Sequence, residues 1–142
     1  MAGETRKLGY DITDTASPEM KALDRGMIRP WRIALKLMQL QMEMIVDLSG
    51  VMSVGRSHPE SGFRPDIDLG PFNGGEMGVS REHLFLKLDG EQVVVVDNKS
   101  ANGTKLNGEW LKPEQAYVIR HGDELTLGLM NLQIQLLTNP FN

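Results

Sequence analysis

Between Trp31 and Leu48 apolar and polar residues alternate in two phases. Trp31, Ile33, Leu35 and Leu37 are interleaved with Arg32, Ala34 and Lys36. After a slip at Met38-Gln39, Leu40, Met42, Met44, Val46 and Leu48 are interleaved with Gln39, Gln41, Glu43, Ile45 and Asp47. Leu, Met, Lys, Gln and Glu all favour helices, but a helix repeats its apolar positions three and four apart and a half-buried strand repeats them at two. The pattern therefore predicts two strands, with a turn or bulge at the slip.

The chain continues in short apolar segments. VMSVGR (51–56), HLFLKL (83–88), QVVVVD (92–97), Thr104 to Leu106, AYVIR (116–120), ELTLG (124–128) and NLQIQLL (131–137) each predict a strand. QVVVVD is β-branched throughout its centre and suits burial on both faces. Asp89-Gly90, Asn102-Gly103, Asn107-Gly108 and Gly122-Asp123 supply the reversals, because these residues tolerate positive φ or close a turn through their side chains. Many short strands, frequent turns and no long helix predict an all-β fold, an antiparallel β-sandwich. Residues 57–79 (SHPESGFRPDIDLGPFNGGEMGV) interrupt it with a loop long enough to carry function or to be mobile.

Residues 1–29 stand apart: polar, without alternation, and carrying Thr13 and Thr15 as candidate phosphorylation sites for a kinase. Within them Ser17, Pro18, Glu19, Arg25 and Gly26 have the order of a capped helix over 18–25. The domain is expected over 30–138, followed by a tail at 139–142. Among 142 residues, 40% are hydrophobic and 24% charged, close to globular averages. A net charge of −4 argues against nucleic acid or an anionic membrane as the partner. Cysteine is absent, which excludes disulfides and thiolate chemistry. No signal-peptide core and no apolar run of about 18 residues occurs, so a cytoplasmic, soluble domain is expected. His58, His83 and His121 are scattered without metal-ligand spacing, and no nucleophile elbow or Walker loop is present. Asp66-Ile67-Asp68 is too short for a calcium loop and reads as a strand end. No enzyme, metal or cofactor is expected.

The turn-rich stretches carry the chemistry. In order they are Gly55-Arg56, Ser80-Arg81-Glu82-His83, Asn102-Gly103-Thr104 with Asn107, and Gly122-Asp123 before LTLG. From about Trp31 to Leu137 the chain resembles the forkhead-associated (FHA) domain, a phosphothreonine-peptide-binding β-sandwich whose pattern is Gly-Arg, Ser-x-x-His, Asn-Gly-Thr-x-x-Asn and Gly-Asp. The residue types suit that ligand independently. Phosphothreonine brings a charge of about −1.5 to −2 and three acceptor oxygens. Arg56 offers a planar fork of N–H donors, Ser80 a hydroxyl, Arg81 a second charge, and Asn102 an amide able to bond peptide backbone.

The resemblance assigns Arg56 and Ser80 to phosphate, and Arg81 and Asn102 to phosphate or peptide backbone. Gly55, His83 and Asn107 are assigned to loop shaping, together with Gly103 and Thr104. The position before Asn-Gly-Thr often carries a hydroxyl in the family but is Ala101 here. Ser100 is a candidate substitute, and losing one charged hydrogen bond costs roughly 1.5–3 kcal/mol. The position two before the serine, often a reader of peptide sequence, is Gly78, with Arg64 and Lys99 as candidate replacements. The implied partner is a phosphothreonine-containing protein or peptide, a Ser/Thr kinase or its substrate. The alternative is an FHA-like domain that binds a protein partner without phosphate.

Overall fold

The computed structural model describes residues 31–139. The expected helix over 18–25, Thr13, Thr15 and residues 140–142 of the expected tail lie outside them. The two alternating phases form β1 (Trp31–Leu37) and β2 (Met42–Leu48), joined by a turn at the slip, where Leu40 N donates to Leu37 O and Gln41 takes a φ of 53°. The helix-favouring composition is overridden because each strand gains a partner. Ile33 faces Leu136 on one side and Val46 on the other.

The remaining strands are β3 (Val51–Gly55), β4 (Ile67–Asp68), β5 (Glu82–Asp89), β6 (Gln92–Asp97), β7 (Thr104–Leu106), β8 (Glu109–Trp110), β9 (Ala116–Ile119), β10 (Glu124–Leu127) and β11 (Met130–Thr138). They make a six-stranded sheet, β2-β1-β11-β10-β7-β8, and a five-stranded sheet, β4-β3-β5-β6-β9. The predicted β-sandwich is present. One pair departs from the antiparallel rule: β4 runs parallel to β3, pairing Val54 with Ile67 and Gly55 with Asp68.

Alternating positions of both sheets fill the core, among them Ile33, Leu35, Leu84, Leu86, Val93, Val95, Leu125, Leu132 and Ile134. Val93 through Asp97 are buried without alternation, as a β-branched central strand requires. Burial along β2 is graded, from buried Leu48 through half-buried Val46 and Met44 to exposed Met42, because β2 is an edge strand.

The 57–79 segment is folded rather than open. Ser53 N and its hydroxyl donate to Asp66 Oδ2, and Asp66 N donates back to Ser53 Oγ. Asp68 Oδ1 accepts from Ser57 N and Gly70 N, both at 2.8 Å. Burial opposes ionisation of Asp68, but these amides, the Ser57 hydroxyl and the Arg64 charge outweigh it and hold its pKa below the ordinary carboxylate value. Ile67, Leu69 and Val79 then insert into the core. The antiparallel order brings the connections after β3, β6 and β10 to one end of the sandwich.

The core reading is tested by paired truncations. Leu35→Ala, at a site 1% exposed, is expected to lower stability by about 2–5 kcal/mol in urea titration. Ile45→Ala, on the neighbouring strand but 52% exposed, is expected to cost less than about 1 kcal/mol. Equal losses would contradict the core as drawn.

Candidate functional site

Three loops meet at that end, and His83 joins two of them. Its Nδ1 accepts from Ser80 N at 2.9 Å, and its Nε2 donates to Gly103 O at 3.0 Å. These partners require the neutral tautomer with the proton on Nε2. The ring is 0% exposed, and burial pushes its pKa below the ordinary histidine value against the opposing pull of the Gly103 carbonyl and the Asp97 charge. Gly103 O also accepts from Gly128 N, which brings in the third loop.

Asp97, at the buried end of β6, orders the turn between Ser80 and Asn102. Its Oδ1 accepts from the hydroxyls of Ser100 and Thr104, both at 2.6 Å, and its Oδ2 accepts from Ser100 N at 3.2 Å. The single hydroxyl proton of Ser100 is therefore committed to Asp97. Ser100 braces the turn and does not supply the hydroxyl missing at Ala101. Asn107 closes the next loop, donating from Nδ2 to Asp123 Oδ1 and accepting at Oδ1 from Glu124 N. Asp123 Oδ2 accepts from Arg120 N. Thr104, Gly103, Asn107 and His83 all hold bonds within or between these loops.

The four candidate ligand groups are brought together by a continuous chain of bonds. Arg56 N donates to Arg81 O, and Arg56 Nε donates to Val79 O at 2.6 Å. Among the described residues both Nη groups of Arg56 stay without a partner, a pinned guanidinium with its fork open. Gly55 is required for this approach, since a Cβ there would overlap the Arg81 carbonyl oxygen. Ser80 Oγ accepts from Ala101 N at 3.0 Å, which uses a lone pair and leaves the hydroxyl proton to donate. The backbone of Ala101 thereby orients the serine that its side chain cannot supplement.

Asn102 is also tied to the neighbouring loop. Its Nδ2 donates to Gly78 O at 2.9 Å, so the amide clamps two loops and keeps its oxygen and a second N–H beyond them. Gly78 explains the departure noted in sequence. Its φ is +83°, and a Cβ there would stand 2.7 Å from Asn102 Nδ2. Any side chain at 78 would displace the clamp. Of the two candidate replacements, Lys99 lies 3.7 Å from Glu114 in an exposed ion pair, and Arg64 acts on Asp68.

Sequence reasoning missed four contributors. Asp97 looked like the last residue of a strand. His58 reaches Arg81, with Nε2 and Nη2 3.0 Å apart. Trp110 and Leu129, 65% and 70% exposed, border a cavity of about 440 Å³ together with Met77, Gly78, Asn102 and Lys105. Lys105 Nζ lies 4.6 Å from the Trp110 ring centre. The signal of Trp110 and Leu129 was a large apolar residue beside a turn, which one sequence does not distinguish from core. Among the described residues no group of three or more His, Asp or Glu is placed to hold a metal ion.

The His83 linkage has a defined sign. The unfolded chain takes up a proton that the folded chain resists, so this contribution is full above about pH 6.5 and is lost as pH falls toward the depressed folded value. The urea midpoint is expected to fall between pH 7.5 and pH 5.5, and to fall less in His83→Gln. The same slope in both proteins would contradict a buried neutral imidazole.

Comparison with known proteins places this geometry in a family. Residues 52–128, more than half of the chain, match the FHA domain. The chain is 32% identical over 98 residues to protein FraH of Nostoc sp., covering 68% of this chain and 34% of FraH. It is 38% identical over 88 residues to the glycogen accumulation regulator GarA of Mycolicibacterium smegmatis, covering 62% of this chain and 46% of GarA. It thus spans less than half the length of either relative. Among solved structures, it shares its fold with the N-terminal FHA domain of S. cerevisiae Rad53p in complex with a phosphothreonine peptide. The TM-score is 0.59 at 23% identity, over 75% of this chain and 94% of that one. Family match and fold agree with the ordered motifs, and the chain belongs to the FHA domain family, a phosphopeptide-binding, non-catalytic module.

Proposed function

We propose that this chain binds phosphothreonine-containing peptide segments through the loops that carry Arg56, Ser80, Arg81 and Asn102. The observation that carries the reading is the pairing of a pinned Arg56 guanidinium with an oriented Ser80 hydroxyl. Both are donors, both are fixed by bonds to neighbouring loops, and both have N–H or O–H groups left over. A phosphate dianion accepts from both without rearranging either, which removes most of the ordering cost of binding. Arg81 adds charge beside them, and the Asn102 oxygen accepts a peptide N–H.

The partner is a protein written on by a Ser/Thr kinase, or the kinase itself, met in the cytoplasm. The Rad53p domain binds a phosphothreonine peptide on the same fold, which supports the reading. The bordering cavity adds a selectivity element. Trp110, Leu129 and Met77 offer apolar surface within reach of a peptide lying across Asn102, and Lys105 holds one face of the indole.

Calorimetry with matched phosphothreonine and threonine peptides tests the reading. The phosphopeptide is expected to bind at least tenfold more tightly. Arg56→Ala is expected to reduce its affinity roughly tenfold to a hundredfold, the range for one or two charged hydrogen bonds. Glu91→Ala, in the hairpin at the far end of β5 and β6, is expected to change nothing. Equal affinity for the two peptides would instead support the phosphate-independent alternative. Trp110→Ala is expected to weaken phosphopeptides that carry a large apolar neighbour about threefold to tenfold, while leaving the ratio of phosphorylated to plain peptide intact. A collapse of that ratio would place Trp110 in the phosphate site rather than beside it.

A further inference from the structure

His58 lies in the 57–79 segment, outside every motif of the family pattern, yet it holds a candidate phosphate ligand. A guanidinium has donors only, so the 3.0 Å contact makes Arg81 Nη2 the donor and His58 Nε2 the acceptor. The proton of the neutral ring is then on Nδ1, 2.6 Å from Ser61 Oγ. Ser61 in turn donates its hydroxyl to His58 O, and the turn is closed by His58 N on Phe63 O. His83 and His58 therefore hold the neighbouring residues Ser80 and Arg81 in opposite tautomers. His83 is buried at the loop junction, whereas His58 is half-buried.

We propose that His58 is a positioning residue of the phosphate site, holding Arg81 aside when neutral and, when protonated, releasing it and presenting its own Nε2–H to the anion. The inference rests on the phosphothreonine reading given above. A proton on Nε2 removes the only lone pair that Arg81 can use and sets two cations face to face. An anion between them accepts from both. Histidine is the side chain whose ordinary charge change lies between pH 5 and 8. The surrounding charges are compatible with it. Arg81 stands across the gap. Asp68 on β4 holds the amide of neighbouring Ser57, with the Arg64 charge acting on Asp68, and Glu60 is exposed two residues along. Binding of phosphate and binding of the proton are thereby coupled, each favouring the other.

The test compares the wild-type chain with His58→Gln, whose amide oxygen still accepts from Arg81 but does not titrate. Phosphothreonine peptide, itself losing charge near pH 6, affects both proteins alike, so the ratio of their affinities isolates His58. That ratio is expected to be near one at about pH 8 and to rise roughly tenfold by about pH 6. His58→Lys, always charged, is expected to bind tightly at both pH values. A ratio that stays flat, or weak binding by His58→Lys at both, would overturn the proposal. A plain-threonine arm separates the two claims: a wild-type chain that does not distinguish phosphothreonine from threonine at either pH contradicts the phosphothreonine reading instead.

Discussion

A neutral imidazole can accept with one nitrogen and donate with the other, and this site is built around one that does both. His83 takes the Ser80 amide on Nδ1 and gives its Nε2–H to Gly103, and the same Gly103 carbonyl receives the Gly128 amide. Two loops are fixed to one buried ring, and a third is tied to the carbonyl that the ring holds. A ring charged on both nitrogens could not accept from Ser80, and a ring of the other tautomer would leave both partners unmatched in the core. The depressed proton affinity of His83 is thus part of how the loops are held.

What the loops do with their remaining groups follows from that anchoring. Acceptors near the site are used internally: Val79 O and Gly78 O hold Arg56 and Asn102, and Asp97 holds Ser100 and Thr104. The groups left outward-going around Arg56 and Ser80 are donors, with the Asn102 oxygen as an acceptor to one side. A surface of fixed donors in a chain of net charge −4 is a local feature, set by loop geometry rather than by composition. Recognition of a doubly charged, acceptor-rich group needs that arrangement, and the missing hydroxyl at Ala101 matters less because its amide is what orients Ser80.

The strands were legible wherever period-two alternation ran for several residues, as in β1, β2 and β5, and QVVVVD announced a central strand by its β-branching. Two-residue strands have no period to read. β4 and β8 exist only because a partner strand lies beside them; Asp66-Ile67-Asp68 read as a strand end and Ile67–Asp68 is β4, whereas β8 left no trace in the sequence. The ordered motifs located Arg56, Ser80, His83 and Asn107. They did not show that Asn102 bonds Gly78, that Ser100 is tied to Asp97, or that His58 crosses 23 positions to Arg81. Each of those depends on which side chains converge in space, and residue type alone leaves several partners open. Gly78 is the instructive case. In sequence it looked like a lost specificity residue, whereas in the fold it is the only residue that leaves room for the Asn102 clamp.

The donor set stands in place before a ligand arrives and is held by His83. A crystal structure of the chain with a phosphothreonine peptide tests this most directly. The phosphate is expected between the Arg56 Nη groups and the Ser80 hydroxyl, with Ser80 N still on His83 Nδ1 and His83 Nε2 still on Gly103 O. A phosphate bound elsewhere, or an imidazole that has turned from either partner to admit it, would contradict a preformed donor set held by His83.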